Sequence, residues 1–538
     1  MSAGRAEPWY ARAVLYQVDP LTFADADGDG TGDLPGVTSR LGHIADLGAT
    51  AVWLQPFYRS PFRDGGYDVT DHCAVDPSLG TLDDVDRLVA EAERHGLRVV
   101  VDLVGQHTSV DHPWFQQARR DRGSPYRDYF IWSEEPADTY VEPIFPTVED
   151  GVWAWDEAAG QFYRHTFYSH EPDLNLAKPD VREEVWRIVE FWLERGVSGF
   201  RVDALPHMTR TVGDGDDAPG LAWIEELRQR AAGRRADVML LGEVDVPPEE
   251  YAGYFGSGAR VDLLFDFWVN NHLFLALARQ SAEPISRAWA AQPRPPQGAG
   301  YAVWLRNHDE LDLERLDEDQ REEVLRAFAP EESMRAYGRG IVRRLAPMLA
   351  PHGGDAQYLA AHSALLSLPG IPVLRYGDEI GMGDDLTQPG RAAVRTAMQW
   401  DAGPNGGFSA APPRDVSIPV VGAGPFDFRA RNVRHQRGDE TSVLTRVRNL
   451  VLARRELGAL PAQRATVTTA ADGAVLVVRH DRPDGAVLQV TNLSGRPADV
   501  APDGDGSPAG ADLVADRRYD GTRLAPFGYR WYRVDGER

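Results

Sequence analysis

Eight short apolar runs, with amphipathic helical stretches between them, narrow the fold more than any other feature of this chain. They are AVLYQV (13–18), AVWLQP (51–56), RVVVDLV (98–104), GFRVDAL (199–205), VMLLGEV (238–244), VDLLFDF (261–267), AVWLRNH (302–308) and IPVLRYG (371–377). Runs apolar on both faces suit parallel strands covered by helices. The helical stretches include LDDVDRLVAEAERHG (82–96) and VREEVWRIVEFWLERG (181–196), the second with Asp180 as its N-cap and Gly196 as its stop. Eight strands alternating with helices predict an α/β fold, a (β/α)8 TIM barrel.

The spacing is uneven after the third run. Residues 105–180 carry no long helical pattern and are rich in Pro, Tyr, Trp and His, which predicts a subdomain inserted on one face of the barrel. Residues 309–352 form a second long excursion, charged and helical in pattern, and DETSVLTRVRNLVLARREL (439–457) predicts a helix that closes the barrel. After Pro461 short β-type runs alternate with DG and SG turns. The division is therefore a barrel over 1–104 and 181–461, an inserted subdomain over 105–180, and a C-terminal antiparallel β-sandwich domain over 462–538.

A net charge of −25 argues against nucleic acid and anionic membrane as partners, since both need basic patches. One cysteine, Cys73, allows no intrachain disulfide. The N-terminus has no basic-then-apolar signal pattern, and no apolar run approaches the ~20 residues that span a bilayer. The expectation is a cytoplasmic protein acting on a small molecule, with a homo-oligomer left open.

Three of the runs end in carboxylates: Asp203 in GFRVDA, Glu243 in LLGEVD and Asp309 in LRNHDE. In such barrels, catalytic groups come from the C-terminal ends of several strands. Two carboxylates across a glycosidic bond are the working parts of a sugar hydrolase. Arg201 lies two residues before Asp203 and so shares its face on a strand. A cation there lowers the pKa of Asp203. That predicts Asp203 as the anionic nucleophile and Glu243 as the acid/base. Asp309, following His308, is expected to stabilise positive charge at the sugar carbon.

A second constellation is DADGDGTGD (25–33). It sets oxygen ligands at Asp25, Asp27, Asp29, Thr31 and Asp33, and alternate spacing in a Gly-rich loop is how hard oxygens wrap calcium.

DLVGQH (102–107), GFRVDA, LLGEVD and LRNHDE, in that order, resemble the four short motifs of glycoside hydrolase family 13, the α-amylase family. RDGGYDVTD (63–71), SPYRDYFIW (124–132), YGDEIGMGD (376–384) and VRTAMQW (394–400) extend the likeness towards its trehalose synthase and α-glucosidase branches. The resemblance implies a retaining enzyme for short α-glucosides such as maltose or trehalose. It works by glucosyl transfer or isomerisation with hydrolysis or, as the alternative, as an exo-acting α-glucosidase. Non-catalytic relatives lose carboxylates that this chain keeps. The resemblance places Tyr67, Asp68, His107, His308 and Arg395 around the terminal glucose, with Tyr67 as a stacking face and Asp68 and Arg395 paired. It implies Ca²⁺, with Mg²⁺ as second candidate, at the 25–33 loop. Ala204, after the nucleophile, leans towards α-1,4 or maltose-like substrates.

Four departures accompany the likeness. Glu171 stands in EPDLN (171–175) where the branch has Gln. Gln106 and Arg210 fall where a second calcium of this branch finds an Asn and an acidic ligand. A guanidinium cannot ligate Ca²⁺. The second calcium is therefore expected to be absent, with Arg210 paired to Asp173. Val244-Asp245 also departs, beside the leaving sugar.

Overall fold

The computed structural model describes residues 7–136, 141–212, 219–483, 485–500, 512–515 and 523–535. All eight apolar runs are strands: β1 (Leu15–Val18), β2 (Ala51–Leu54), β3 (Arg98–Leu103), β4 (Gly199–Val202), β5 (Met239–Gly242), β6 (Leu263–Phe265), β7 (Gly300–Trp304) and β8 (Ile371–Arg375). They run parallel and close into one barrel in sequence order, with Leu15 of β1 opposite both Ala51 of β2 and Val373 of β8.

Strand alternation splits the core into two layers. Leu15, Trp53, Val100, Leu241, Phe265, Trp304 and Val373 form one cluster that fills the barrel. Their neighbours Tyr16, Val52, Val101, Phe200, Leu240, Leu264 and Leu374 belong to the larger core under the helices. Arg201 and Asp203 therefore follow Gly199 into the barrel and its mouth, while Phe200 and Val202 anchor the strand outside.

The helices start and stop for local reasons. α1 (Leu34–Leu47) is capped by Asp33, whose carboxylate accepts from Gly36 N, and ends at Gly48 with φ 102°, a left-handed turn that favours glycine. α2 (Leu82–Arg94) carries a reciprocal capping box between Thr81 and Asp84. α3 (Pro179–Glu194) corrects the expected boundary: Lys178 is the cap position and Asp180 lies inside the first turn. Pro179 explains it, since its fixed φ and missing N–H suit the first helical position. α4 (Gly354–Ser367) is buried all round from Gln357 to Ser367, and α5 (Val443–Leu457) is capped by Ser442.

The inserted segment holds one short helix, Pro113–Arg120, and a three-stranded antiparallel sheet. The excursion after β7 is helical over Glu318–Phe328 but also folds a small three-stranded sheet, Leu311–Asp312, Gly340–Ile341 and Arg335–Ala336, which the charge pattern concealed.

The C-terminal region forms one five-stranded antiparallel sheet, in the order Ala465–Ala470, Val475–Arg482, Gly485–Asn492, Tyr529–Asp535, Asp512–Ala515, and a two-stranded piece, Ala498–Asp499 with Arg523–Leu524. One face lies on α4, where Trp531 Nε1 donates to Ser363 Oγ at 3.0 Å. That contact makes α4 a buried layer between barrel and sheet. No helix among the described residues is long and apolar enough to cross a membrane.

Candidate active site

Arg201 is the centre of the mouth. It is 1% exposed, and its guanidinium reaches Asp102 Oδ1 at 2.7 Å, Asp203 Oδ1, and Glu243 Oε1 at 2.5 Å. One planar cation thus ties the ends of β3, β4 and β5 and holds the two expected catalytic carboxylates side by side. Asp102 is fixed from behind by Trp53 Nε1 at 2.7 Å. Glu243 Oε2 accepts from the backbone N–H of Ala204 at 2.9 Å. Ala204 has φ 47°, a sparsely populated conformation for a residue with a Cβ, and strain of this kind clusters at working sites.

The electrostatics correct one expectation. Burial raises Asp203 more than Arg201 lowers it, so its carboxyl sits at about 6 rather than below the usual range. Burial likewise raises Glu243, to about 7, against the pull of Arg201. The order survives: Asp203 ionises first and Glu243 keeps its proton longer, which suits a nucleophile and an acid/base. Asp309 behaves differently. Burial pushes it up, but Arg391, His308 and Arg395 pull it well below the ordinary carboxylate range.

Asp309 is held on two sides. Arg391 Nη1 and Arg395 Nη2 each stand 3.1 Å from its Oδ1, and His308 Nε2 stands 3.1 Å from its Oδ2. Burial keeps His308 neutral, far below the usual imidazole range. Gln17 Nε2 lies 2.7 Å from its Nδ1, so a donated amide proton leaves Nε2–H to face Asp309.

Tyr67 stacks on His308, with ring centroids 5.3 Å apart and an angle of 9°. Asp68 is fully buried, and its Oδ1 accepts from Ser60 Oγ at 2.8 Å while Oδ2 has no partner among the described residues. His107 Nε2 faces Tyr67 O at 3.2 Å and its Nδ1 is similarly unpartnered. Buried polar atoms of this kind call for a ligand or water. The expected Asp68–Arg395 pair does not form. Arg395 turns to Asp309 and, at 3.9 Å, to Asp64, because Ser60 already holds Asp68. Glu171 lies 3.8 Å from His107, and burial, followed by Asp64 and Asp68, raises its carboxyl well above the usual range. That shift favours its protonated form, which is close in shape to an amide.

Three residues of the site escaped the sequence reading: Asp64, Glu310 and Arg391. Arg391 Nε is 2.6 Å from Glu310 Oε2, and its guanidinium lies over the rings of Phe145, at 5.0 Å, and Tyr337, at 5.8 Å. Phe145 and Tyr168 of the inserted segment stack at 4.5 Å, Phe145 meets Tyr337 of the second excursion at 4.5 Å, and Tyr168 and Tyr337 share a hydroxyl–hydroxyl bond of 2.8 Å. Inserted segment and excursion thus meet over the mouth. The available signal was Arg391 itself, four residues before Arg395.

Beyond Glu243, carboxylate oxygens of Asp245, Asp312 and Glu314 lie within 4.8 Å of one another. Arg315 stands 2.9 Å from Asp245, and Arg339 stands 3.0 Å from Asp312. Arg210 is exposed and does not pair with Asp173, which instead accepts from Thr166 and has Arg164 at 3.5 Å. Helix Leu205–Val212 carries Arg210 outward, while Asp173 is fully buried against the inserted sheet.

In the 25–33 loop, only Asp25, Asp27 and Asp29 bring carboxylate oxygens together, within 4.8 Å. Asp33 is spent on the backbone, with Oδ1 capping α1 and Oδ2 accepting from Ala26 N at 3.0 Å. Thr31 Oγ1 faces Ser417 Oγ at 3.1 Å. Asp25 also accepts from Gly28 N at 2.6 Å and Gly30 N at 2.9 Å, which leaves its Oδ1 a further lone pair. The donor set is all hard oxygen, and none of the three aspartates pairs with an arginine among the described residues, which fits a divalent cation.

Paired carboxylates under one guanidinium, at the C-terminal mouth of a (β/α)8 barrel and beside a third ionised carboxylate, define the class: a retaining α-glycosidase or transglucosidase. The alpha amylase catalytic-domain model matches residues 17–313 and 351–462, and the chain belongs to the α-amylase family. It is 39% identical over 507 residues to trehalose synthase/amylase TreS of Mycobacterium tuberculosis, covering 92% of this chain and 84% of that one. Glucan 1,6-alpha-glucosidase of Streptococcus pneumoniae is 31% identical over 532 residues, 93% and 94% of the two chains. Among solved structures, the trehalulose synthase MutB matches with TM-score 0.76 and 25% identity, over 98% of this chain and 100% of that one.

Proposed function

We propose that the protein isomerises a short α-glucoside, maltose to trehalose or the reverse, with hydrolysis as the minor outcome. Asp203 attacks the anomeric carbon as the glycosidic C–O bond breaks, and Glu243 gives its proton to the leaving oxygen. The freed glucose turns within the pocket. Glu243 then takes the proton of its attacking hydroxyl, the new C–O bond forms and Asp203 is released. Asp309 stabilises the positive charge at the sugar carbon in both steps.

The observation that carries this reading is the contact of Phe145, Tyr168 and Tyr337 over the mouth. A covered pocket keeps the glucose and limits water. Glu243 keeps 20% of its side chain exposed, so some hydrolysis accompanies transfer. Maltose, trehalose, sucrose and isomaltose, each followed in time by product, test it. Trehalose appearing from maltose faster than free glucose is expected, and glucose alone would make the protein an α-glucosidase. Asp203→Asn should lower turnover by roughly 10⁴-fold or more.

Asp25, Asp27 and Asp29 would hold Ca²⁺ as a structural ion, tying the loop ahead of α1. Bound ion stabilises only the folded state. Chelation should therefore lower Tm by about 2–4 °C, reversed by added Ca²⁺, and Asp27→Asn should remove the response. An unchanged melting curve in chelator would sink the assignment.

A further inference from the structure

A second pocket lies behind the substrate loop, outside the barrel mouth, and encloses about 570 Å³. Its floor and walls include His72, Cys73, His112, Trp114, Glu184 and Arg187. We propose that it binds a neutral mono- or disaccharide, separately from the active site.

Volume comes first. Small-molecule sites run from about 300 to 1,000 Å³, so one or two sugar rings fit. The floor is polar but uncharged. His112 is 5% exposed, and its Nδ1 accepts the N–H of Trp114 at 3.1 Å, as the N-cap of helix Pro113–Arg120. That bond leaves the proton on Nε2, a neutral donor. His72 is 3% exposed, its ring lies 5.7 Å from that of His112, and its Nε2 has no partner among the described residues. Burial keeps both rings neutral. Trp114, half-buried, adds an aromatic wall.

Four of the charged groups around the rim are paired, while Arg59 and Asp71 also line it. Glu184 is 2.5 Å from Arg187, and Asp111 is 2.7 Å from Arg63. Opposite charges at Arg59 and Asp71 leave no single-sign field for a strongly charged ligand, whereas a polyol meets the His112 donor, both polar side chains and an aromatic face. The position is also telling. Thr70 and His72 continue the loop that carries Tyr67 and Asp68, and Ser109 N donates to Val69 O at 2.8 Å. Occupancy here would brace the substrate loop from behind. The inference takes from the proposed function only the choice of sugars to try.

Cys73, the chain's single cysteine, is a built-in reporter. Burial, with Asp71 and Glu184 nearby, raises its thiol to about 11, so alkylation is followed in alkaline buffer. The full-length Asp203→Asn protein, which does not consume sugar, is alkylated with and without glucose, maltose or trehalose. At ten times the Kd, alkylation should slow by about tenfold. Protection should persist when Asp68→Asn weakens the active-site grip. It should vanish in Trp114→Ala and in His112→Asn, where asparagine keeps the cap but removes the Nε2 donor. No protection by any sugar overturns the proposal. So does protection that is lost with Asp68→Asn or retained in His112→Asn. Turnover by the unmodified enzyme is measured apart, so the isomerase reading and the second site fail independently.

Discussion

Around Arg201, one guanidinium serves three carboxylates; beyond Glu243, on the acceptor side of the proposed transfer, two guanidiniums serve three. Arg201 has 2% of its side chain exposed, Asp102 none and Asp203 10%. Across the mouth, Asp245 is 25% exposed and Glu314 44%. The buried network is short of positive charge, so burial lifts Asp203 and Glu243 towards neutrality. The acceptor network is wetter, and solvent screens its pairs. Tight burial tunes proton affinity for bond breaking, whereas a looser set of ion pairs suits the turning sugar of the proposed isomerisation.

Arg201→Lys tests the contrast most severely. An ammonium cannot reach Asp102, Asp203 and Glu243 in one plane. Turnover should fall on the order of 10²–10³-fold, and the acid limb of the pH profile should move upward as the positive charge draws away from Asp203. Arg315→Lys, on the other side, should change cleavage by less than about threefold. Equal losses in the two variants would erase the distinction.

The pH profile comes next in size. Asp203 must be ionised, and its carboxyl sits at about 6; Glu243 must be protonated, and sits at about 7. kcat/KM should peak between those values and fall about tenfold per pH unit beyond each limb. The two carboxylates interact, so the limbs belong to the pair. Glu243→Gln, assayed on an aryl glucoside whose leaving group needs no proton, should lose the alkaline limb and keep the acid one. A flat profile from pH 4 to 9 would show that burial does not tune the pair.

Much of the Arg201 side was legible in the sequence, for a physical reason. Strand alternation is a local rule, so Arg201 and Asp203 on one face followed from their spacing, as did all eight strands from runs apolar on both faces. What was not legible depended on depth and on competition. The sign of the Asp203 shift needed the degree of burial, which only the closed barrel supplies. Asp68 lost Arg395 because Ser60 claimed it first, and Asp33 left the expected metal ligands because α1 needed a cap. Arg391 was missed because its partners, Asp309, Glu310 and the rings of Phe145 and Tyr337, come from distant segments.

In the proposed function, the cover over the mouth separates transfer from hydrolysis. Tyr337→Ala removes the bond to Tyr168 and the contact with Phe145. Water then enters while the catalytic carboxylates stay in place. The ratio of glucose to trehalose formed from maltose should rise roughly tenfold, with total cleavage within about threefold of the original. A fall in cleavage with no change in ratio would mean that the ring contacts only support the fold.

Asp245→Asn should have the smallest effect. Burial, with Asp312 beside it, raises Asp245 well above the ordinary carboxylate range, and Arg315 only partly offsets that. Its upward shift and the solvent around it both weaken the charge lost, so an amide of the same shape changes little. Arg315 also keeps Glu314, at 2.5 Å. Product partition at pH 6 should stay within about twofold of the original. The difference should grow as pH rises and the native carboxyl ionises, because only the native side chain then adds negative charge beside Glu243. That charge favours the protonated form of Glu243, so the alkaline limb of the native enzyme should lie slightly higher than that of Asp245→Asn. Superimposable limbs would mean that the acceptor-side carboxylates are electrically silent at the catalytic pair, and the two sides of the mouth could then be redesigned separately.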